Sequence, residues 1–171
     1  MTIQFSNAGK RYNRDWIFRS ASITFLPHHS YAITGSNGTG KSTLLQAIAG
    51  SLAISEGQIG WQIDGTAIDS NVVHNYLSIV APYVEVIEEM TAFEFLEFHR
   101  KFKPLITSLS IKEILSLIGL EKASNKQIRY YSSGMKQRIK LAQAVFSDVP
   151  LMLLDEPCTN LDVAGFELYN T

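Results

Sequence analysis

Residues Gly35 to Thr43 read G-S-N-G-T-G-K-S-T and fit the phosphate-binding pattern G-x-x-x-x-G-K-[ST] at each fixed position. Ser30-Tyr31-Ala32-Ile33-Thr34 just before it reads as a short buried strand. Lys41 to Ala49 just after reads as a helix with Leu44, Leu45, Ile48 and Ala49 on one side. A strand, a glycine-rich turn and a helix in that order commit the chain to an α/β core. Gly35, Gly38 and Gly40 let the backbone curl so that successive N–H groups point at one anion. The positive end of the helix faces the same anion. Lys41 adds a mobile charge for the outer phosphates, and Ser42 offers a hydroxyl to Mg²⁺. Ser36, Asn37, Thr39 and Thr43 complete the candidate loop. A plain glycine-rich turn is the alternative, and the flanking strand and helix argue against it.

With 171 residues the chain is long enough for one domain with a substantial core. Its net charge of −1 gives no global basic surface for nucleic acid. The single cysteine, Cys158, cannot close an internal disulfide, which fits a reducing cytoplasm. No apolar run approaches the roughly 18–20 residues that cross a bilayer. Met1-Thr2-Ile3-Gln4-Phe5 lacks a charged segment followed by an apolar stretch, so no signal peptide is expected.

Along the chain, Ile3–Phe5 and Ile17–Phe25 are predicted strands, with Lys10-Arg11-Tyr12-Asn13 as the turn between them. Gln58–Ile63 is a third, closed by Asp64-Gly65, and Leu77–Ala81 a fourth, stopped by Pro82. The middle is helical. Phe95, Phe98 and Phe102 form a stripe expected to face the core, with Thr91 as N-cap. Ile111, Ile114, Leu115 and Ile118 mark a second helix ended by Gly119, and Met135, Ile139, Ala142 and Phe146 a third. Leu151-Met152-Leu153-Leu154 reads as a strand buried on both faces of a parallel sheet, and Val163–Tyr169 as the start of one more helix.

The strand at 151–154 ends in Asp155 and Glu156. Ligands of parallel α/β sheets sit at the carboxyl ends of strands, so Asp155 is a candidate to share a magnesium ion with Ser42. Glu156 is a candidate general base that polarises an attacking water. A helix N-cap before Pro157 is the structural alternative.

Between these motifs Tyr131-Ser132-Ser133-Gly134-Met135-Lys136-Gln137-Arg138 opens a helix. Here the sequence resembles the ATP-binding cassette (ABC) ATPases, whose signature is of L-S-G-G-Q type, followed by a Q-R pair and an apolar strand ending D-E-P. Ser132, Gly134, Gln137, Arg138, Asp155, Glu156 and Pro157 match, and Asn160-Leu161-Asp162 resembles the family's D-loop. Tyr12 stands where the family places an aromatic that stacks on adenine. The resemblance implies a phosphate-loop NTPase core with a mostly parallel sheet, an N-terminal antiparallel β part and an inserted α-helical subdomain. Residues of about 1–80 and 148–171 would form the core and β part of a single nucleotide-binding domain, and about 83–147 the helical subdomain. It further implies ATP and Mg²⁺ as ligands, with Lys41 and Glu156 catalytic and Ser132, Ser133, Gly134 and Asp162 reaching nucleotide. The implied partners are a second cassette packed head to tail across ATP and a membrane-spanning subunit on another chain. The implied location is cytoplasmic, at the inner face of the cell membrane.

Departures from the family are as informative as the matches. Ser133 replaces the first signature glycine, Met135 the final glutamine and Tyr131 the leucine. Pro82 occupies the place of a glutamine that contacts magnesium and water, and Glu85 is a weak substitute. The family's switch histidine follows the D-loop, whereas His28, His29, His74 and His99 all precede Asp155. The expectation is therefore a cassette truncated at its C-terminus.

Among functions, an ATPase subunit of a membrane transporter leads, docking its membrane subunit around Tyr83-Val84-Glu85-Val86-Ile87. A soluble cassette ATPase acting on ribosomes or nucleic acid is the second class. Relatives acting on DNA insert a long coiled coil between the two nucleotide motifs, and no sustained heptads separate Lys41 from Asp155. Lys136, Arg138 and Lys140 read as a solvated face, so no direct nucleic-acid contact is expected. The third class is a nucleotide-binding module without turnover, which the Pro82 departure favours.

Overall fold

The alternation of apolar residues at the N-terminus builds a long β-hairpin. In the computed structural model, which describes residues 1–161, β1 (Thr2–Tyr12) pairs antiparallel with β2 (Asp15–Phe25). The turn is Asn13-Arg14 alone, since Tyr12 already faces Asp15. Lys10, Arg11 and Tyr12, expected in the turn, are instead the last residues of β1. Polar side chains on an open strand end had mimicked a loop, and Asn13 takes the positive φ of 54° that a two-residue turn needs. The molecule divides into two compact units, Met1–Leu77 and the residues from Ser78 on.

In the first unit, β3 (Glu56–Ile63) pairs antiparallel with β1, and β4 (Thr66–Ile68) with β3, giving the order β2-β1-β3-β4. Alternate residues Ile3 and Phe5 of β1 are buried, with the Phe5 ring 5.9 Å from that of Phe25. The helix α1 (Lys41–Ile48) buries Leu45, Ala47 and Ile48. Its last turn is closed by Gly50, which has φ 70° and donates to the Ala47 carbonyl, while Ser51 donates to Gln46. The Trp61 indole of β3 donates to the Ile48 carbonyl at 2.8 Å, tying the sheet to that helix end. A 3₁₀ turn over Ser70–Tyr76 completes the unit.

The expected strand at Ser30–Thr34 does not form. The segment has no ladder partner among the described residues, and Tyr31 and Thr34 are exposed. An apolar run becomes a strand only where another strand takes up its backbone groups.

β5 (Leu77–Val80), which starts at the last residue of the first unit, and β6 (Leu151–Leu154) of the second form a two-stranded parallel sheet. Between them run α2 (Ala92–His99), α3 (Ile111–Leu117) and α4 (Ser133–Val145). Their core joins Leu96, Ile114, Leu115, Leu120, Ile128 and Ile139, all almost fully buried. Thr91 caps α2 through a box with Glu94, and Ser110 caps α3 through a box with Glu113. Gly119 ends α3 at φ 67°, with Leu120 donating to the Leu115 carbonyl. On α4, Leu141 and Ala144 pack with Val80, Leu154 and Leu161, and the Ser78 hydroxyl donates to the Ala144 carbonyl at 2.9 Å.

The phenylalanine stripe is not a core face. Phe95 is 5% exposed, but Phe98, still within α2, is 38% exposed, and Phe102, beyond the end of α2 at His99, is 68% exposed; the Phe98 and Phe102 rings pack on each other at 5.0 Å. Nor is β6 buried on both sides. Met152 is 47% exposed while Leu153, on the opposite face, is buried. The helix expected at Val163–Tyr169 lies outside the described residues, as does Asp162.

Candidate functional site

The candidate phosphate loop, Gly35 to Thr43, belongs to the first unit, and its geometry follows from one glycine. Gly40 adopts φ 90° as the N-cap of α1, with no side chain capping the helix and no acid in its first turn. The positive helix end therefore carries no internal counter-charge. A Cβ at Gly40 would sit 2.1 Å from the Ile17 methyl of β2, so both conformation and space demand glycine. Gly35 and Gly38 also have positive φ, at 150° and 81°. Lys41 Nζ donates to the Gly35 and Ser36 carbonyls, each at 2.9 Å, and the Thr39 hydroxyl donates to Ser36 at 2.9 Å. The ammonium thus bridges the loop's own oxygens, the kind of acceptor a phosphate presents. Ser36, Asn37 and Ser42 are exposed, and Thr43 is half-buried. Tyr12 is 47% exposed at the turn end of the β1–β2 hairpin. Ile17 on that hairpin touches Gly40, so Tyr12 and the loop share one end of the unit. Lys10 Nζ lies 4.9 Å from the Tyr12 ring centre.

The signature and the two carboxylates belong to the second unit. Ser132 is the N-cap of α4 and accepts from the Met135 N–H at 3.2 Å. Ser132 and Ser133 are exposed, while Gly134 is buried. Tyr131, in the place of the family's leucine, is buried among the helices, and its hydroxyl donates to the Ala123 carbonyl at 2.7 Å. Burial pushes its phenol pKa upward.

Asp155 is buried directly after β6, and its N–H donates to the Val80 carbonyl at 2.8 Å. Glu156 is exposed and held at φ 47°, a conformation that costs an L-residue about 1–2 kcal/mol. Its carboxylate accepts from the Thr159 hydroxyl at 3.3 Å. The next carbonyl, of Pro157, accepts from Gln137 Nε2 at 2.7 Å. Gln137 matched a family pair in the sequence, but its contact is legible only in the fold.

A cleft of about 270 Å³ opens beside this turn, lined by Pro82, Glu85, Ser133, Lys136, Gln137 and Asn160 among others. Glu85 is exposed at its edge, and Val86 beside it is core. Lys136 pairs with Glu88, and Arg138 donates to the Ile118 carbonyl at 2.9 Å. Two of the three cations on α4 therefore serve the fold of this unit. Sequence reasoning also missed His99. Its Nε2 meets the Ser147 hydroxyl at 2.9 Å and its Nδ1 the Gln143 amide at 3.1 Å. The Ser147 hydroxyl donates to the Gln143 carbonyl at 2.6 Å, so this bond network fits a neutral ring protonated at Nε2. Burial, and then the charge of Lys103, lower the His99 pKa to about 4.

The sequence matches the family profile described as "ABC transporter" over residues 18–159. The chain belongs to the ABC transporter family. It is 30% identical over 164 residues to the uncharacterized ABC transporter ATP-binding protein YybJ of Bacillus subtilis (strain 168), covering 95% of this chain and 74% of that protein. It is also 30% identical over 149 residues to the cytochrome c biogenesis ATP-binding export protein CcmA of Yersinia pseudotuberculosis serotype I (strain IP32953), covering 87% of this chain and 68% of the relative. In fold it is similar to a solved ATP-binding subunit of an ABC transporter, with TM-score 0.79 and 21% identity over 98% of this chain and 71% of the other. No helix among the described residues is long and apolar enough to cross a membrane. Membership of this family fits the ordered set of phosphate loop, signature and D-E-P strand found along the chain.

Proposed function

We propose that this chain is the ATP-binding and ATP-hydrolysing subunit of a transporter whose membrane-spanning part is a separate chain. The observation that carries the reading is the phosphate loop, an uncapped helix end without an acid, topped by a lysine folded onto loop carbonyls. That donor set fits the polyphosphate of ATP. Gly35 to Thr43 would hold the phosphates, and Tyr12 would stack on the base. Ser42 and Asp155 would hold Mg²⁺, which supplies charge neutralisation at the phosphate oxygens when bound. Lys41 stabilises charge on the outer phosphates. Glu156 accepts a proton from the attacking water. Asp162, beyond the described residues, completes the set. The exposed Ser132 and Ser133 at the start of α4, with Gly134, offer donors to the nucleotide held by a second cassette, packed head to tail. Such a dimer would close on ATP and open after hydrolysis. The segment around exposed Tyr83 and Ile87 would receive the membrane subunit, placing the chain in the cytoplasm at the inner face of the membrane. The names of the relatives, an ATP-binding protein and an export protein, support this reading.

Pro82 in place of the family glutamine supports a second reading, a module that binds nucleotide without turnover. Phosphate release by Glu156→Gln separates the two. In an ATPase, loss of the base lowers turnover by about 10²–10⁴-fold while ATP still binds. Turnover equal to that of the unmodified chain would reject Glu156 as the base.

A further inference from the structure

The general base sits at a point where the sheet no longer holds the chain. Asp155 is the last residue tied to β5, through its N–H and the Val80 carbonyl. Glu156 then departs into positive φ, and among the described residues no strand takes up the carbonyls that follow. The Pro157 carbonyl is instead met by a side chain from another element, Gln137 of α4, at 2.7 Å. Gln137 is only 9% exposed, and it lies on the α4 face that carries Leu141 and Ala144 at helical spacing. Those two pack against Val80, Leu154 and Leu161, so a polar residue at 137 interrupts an apolar contact face. A glutamine is out of place there unless its amide has a task, because burying one without a partner is costly. Its partner lies one residue beyond Glu156, and its own position is one turn after Ser133 and Gly134.

We propose that Gln137 is a positioning residue, fixing Glu156 for hydrolysis by clamping the turn after it to the signature helix. Glu156 is then bracketed, by the sheet on one side and by α4 on the other. The start of α4 and the base become parts of one rigid piece, so a shift of the signature at Ser132 and Ser133 is carried directly to Glu156. The inference rests on Glu156 being the base, and it adds what holds that base in place.

Two measurements on the full chain test it, using Gln137→Met, which keeps the length of the side chain and removes the donor. The first is amide hydrogen exchange at Thr159 and Leu161, whose N–H groups bond the Glu156 and Cys158 carbonyls within the turn. Exchange there is expected to rise about 5–10-fold, with α2 and α3 unchanged. Unchanged exchange at both amides would overturn the clamp. The second is steady-state ATP turnover in a cycle with Glu156→Gln. Gln137→Met is expected to lower kcat by about 10–100-fold, leave KM for ATP within about twofold, and add nothing once Glu156 is gone. A loss confined to KM, or one that persists undiminished beside Glu156→Gln, would overturn the action through Glu156. Full turnover in Glu156→Gln alone would instead reject the base itself, and with it this role, whatever the exchange shows. Gln137→Leu, apolar like its neighbours on that face and without the donor, serves in both measurements if the methionine variant does not fold.

Discussion

Gly40 sits where the backbone leaves its residue no freedom. At Gly40 a methyl group would meet Ile17 at 2.1 Å and force φ 90° on a residue that disfavours it. Gly40→Ala is therefore expected to weaken Mg-ATP binding by about 10-fold or more, read by titration with a fluorescent nucleotide, through displacement of the α1 end. Binding equal to the unmodified chain would show that this helix end does not hold the phosphates. His99 gives a prediction of a different kind. Its folded pKa of about 4 lies below its ordinary value near 6.5, so the unfolded chain takes up a proton that the folded chain refuses. Its contribution is fully present above pH 6.5 and is lost progressively as pH falls towards 4. Urea midpoints at pH 7 and pH 5 should differ less in His99→Gln than in the unmodified chain. Little of this residue-level detail was legible beforehand. The glycine-rich turn and the helix that follows it were, because their pattern is local and the glycines have a steric cause. The bonds of Gln137 and His99 were not, because each joins segments 20 to 48 residues apart.

At the scale of elements, the caps were the most legible feature, and context corrected the apolar patterns. Thr91 was readable as an N-cap, and the structure shows its full box with Glu94. Thr91→Ala is expected to destabilise the helical unit by about 1 kcal/mol, measured by chemical unfolding. The α2 stripe misled twice over: the helix stops before Phe102, and within it the buried residues are Ala92, Phe95 and Leu96, which leaves Phe98 exposed. The Ser30–Thr34 segment misled for a related reason, since strand character needs a neighbour that the segment's own sequence cannot name. By contrast Leu77–Ala81, short and apolar before a proline, did give a strand, over Leu77–Val80, because β6 takes up its backbone.

At the scale of the whole molecule, the family was legible from an ordered set of motifs and is supported by the match over residues 18–159. What the motifs do together is the central claim, and nucleotide binding is its foundation. Thermal unfolding with and without Mg-ATP, in the unmodified chain and in Lys41→Ala, tests it most directly. The account predicts a cooperative transition that Mg-ATP raises, by the equivalent of about 2.7 kcal/mol at a hundredfold excess over Kd, and that Lys41→Ala leaves nearly unmoved. A transition indifferent to Mg-ATP, or one raised equally in Lys41→Ala, would contradict it.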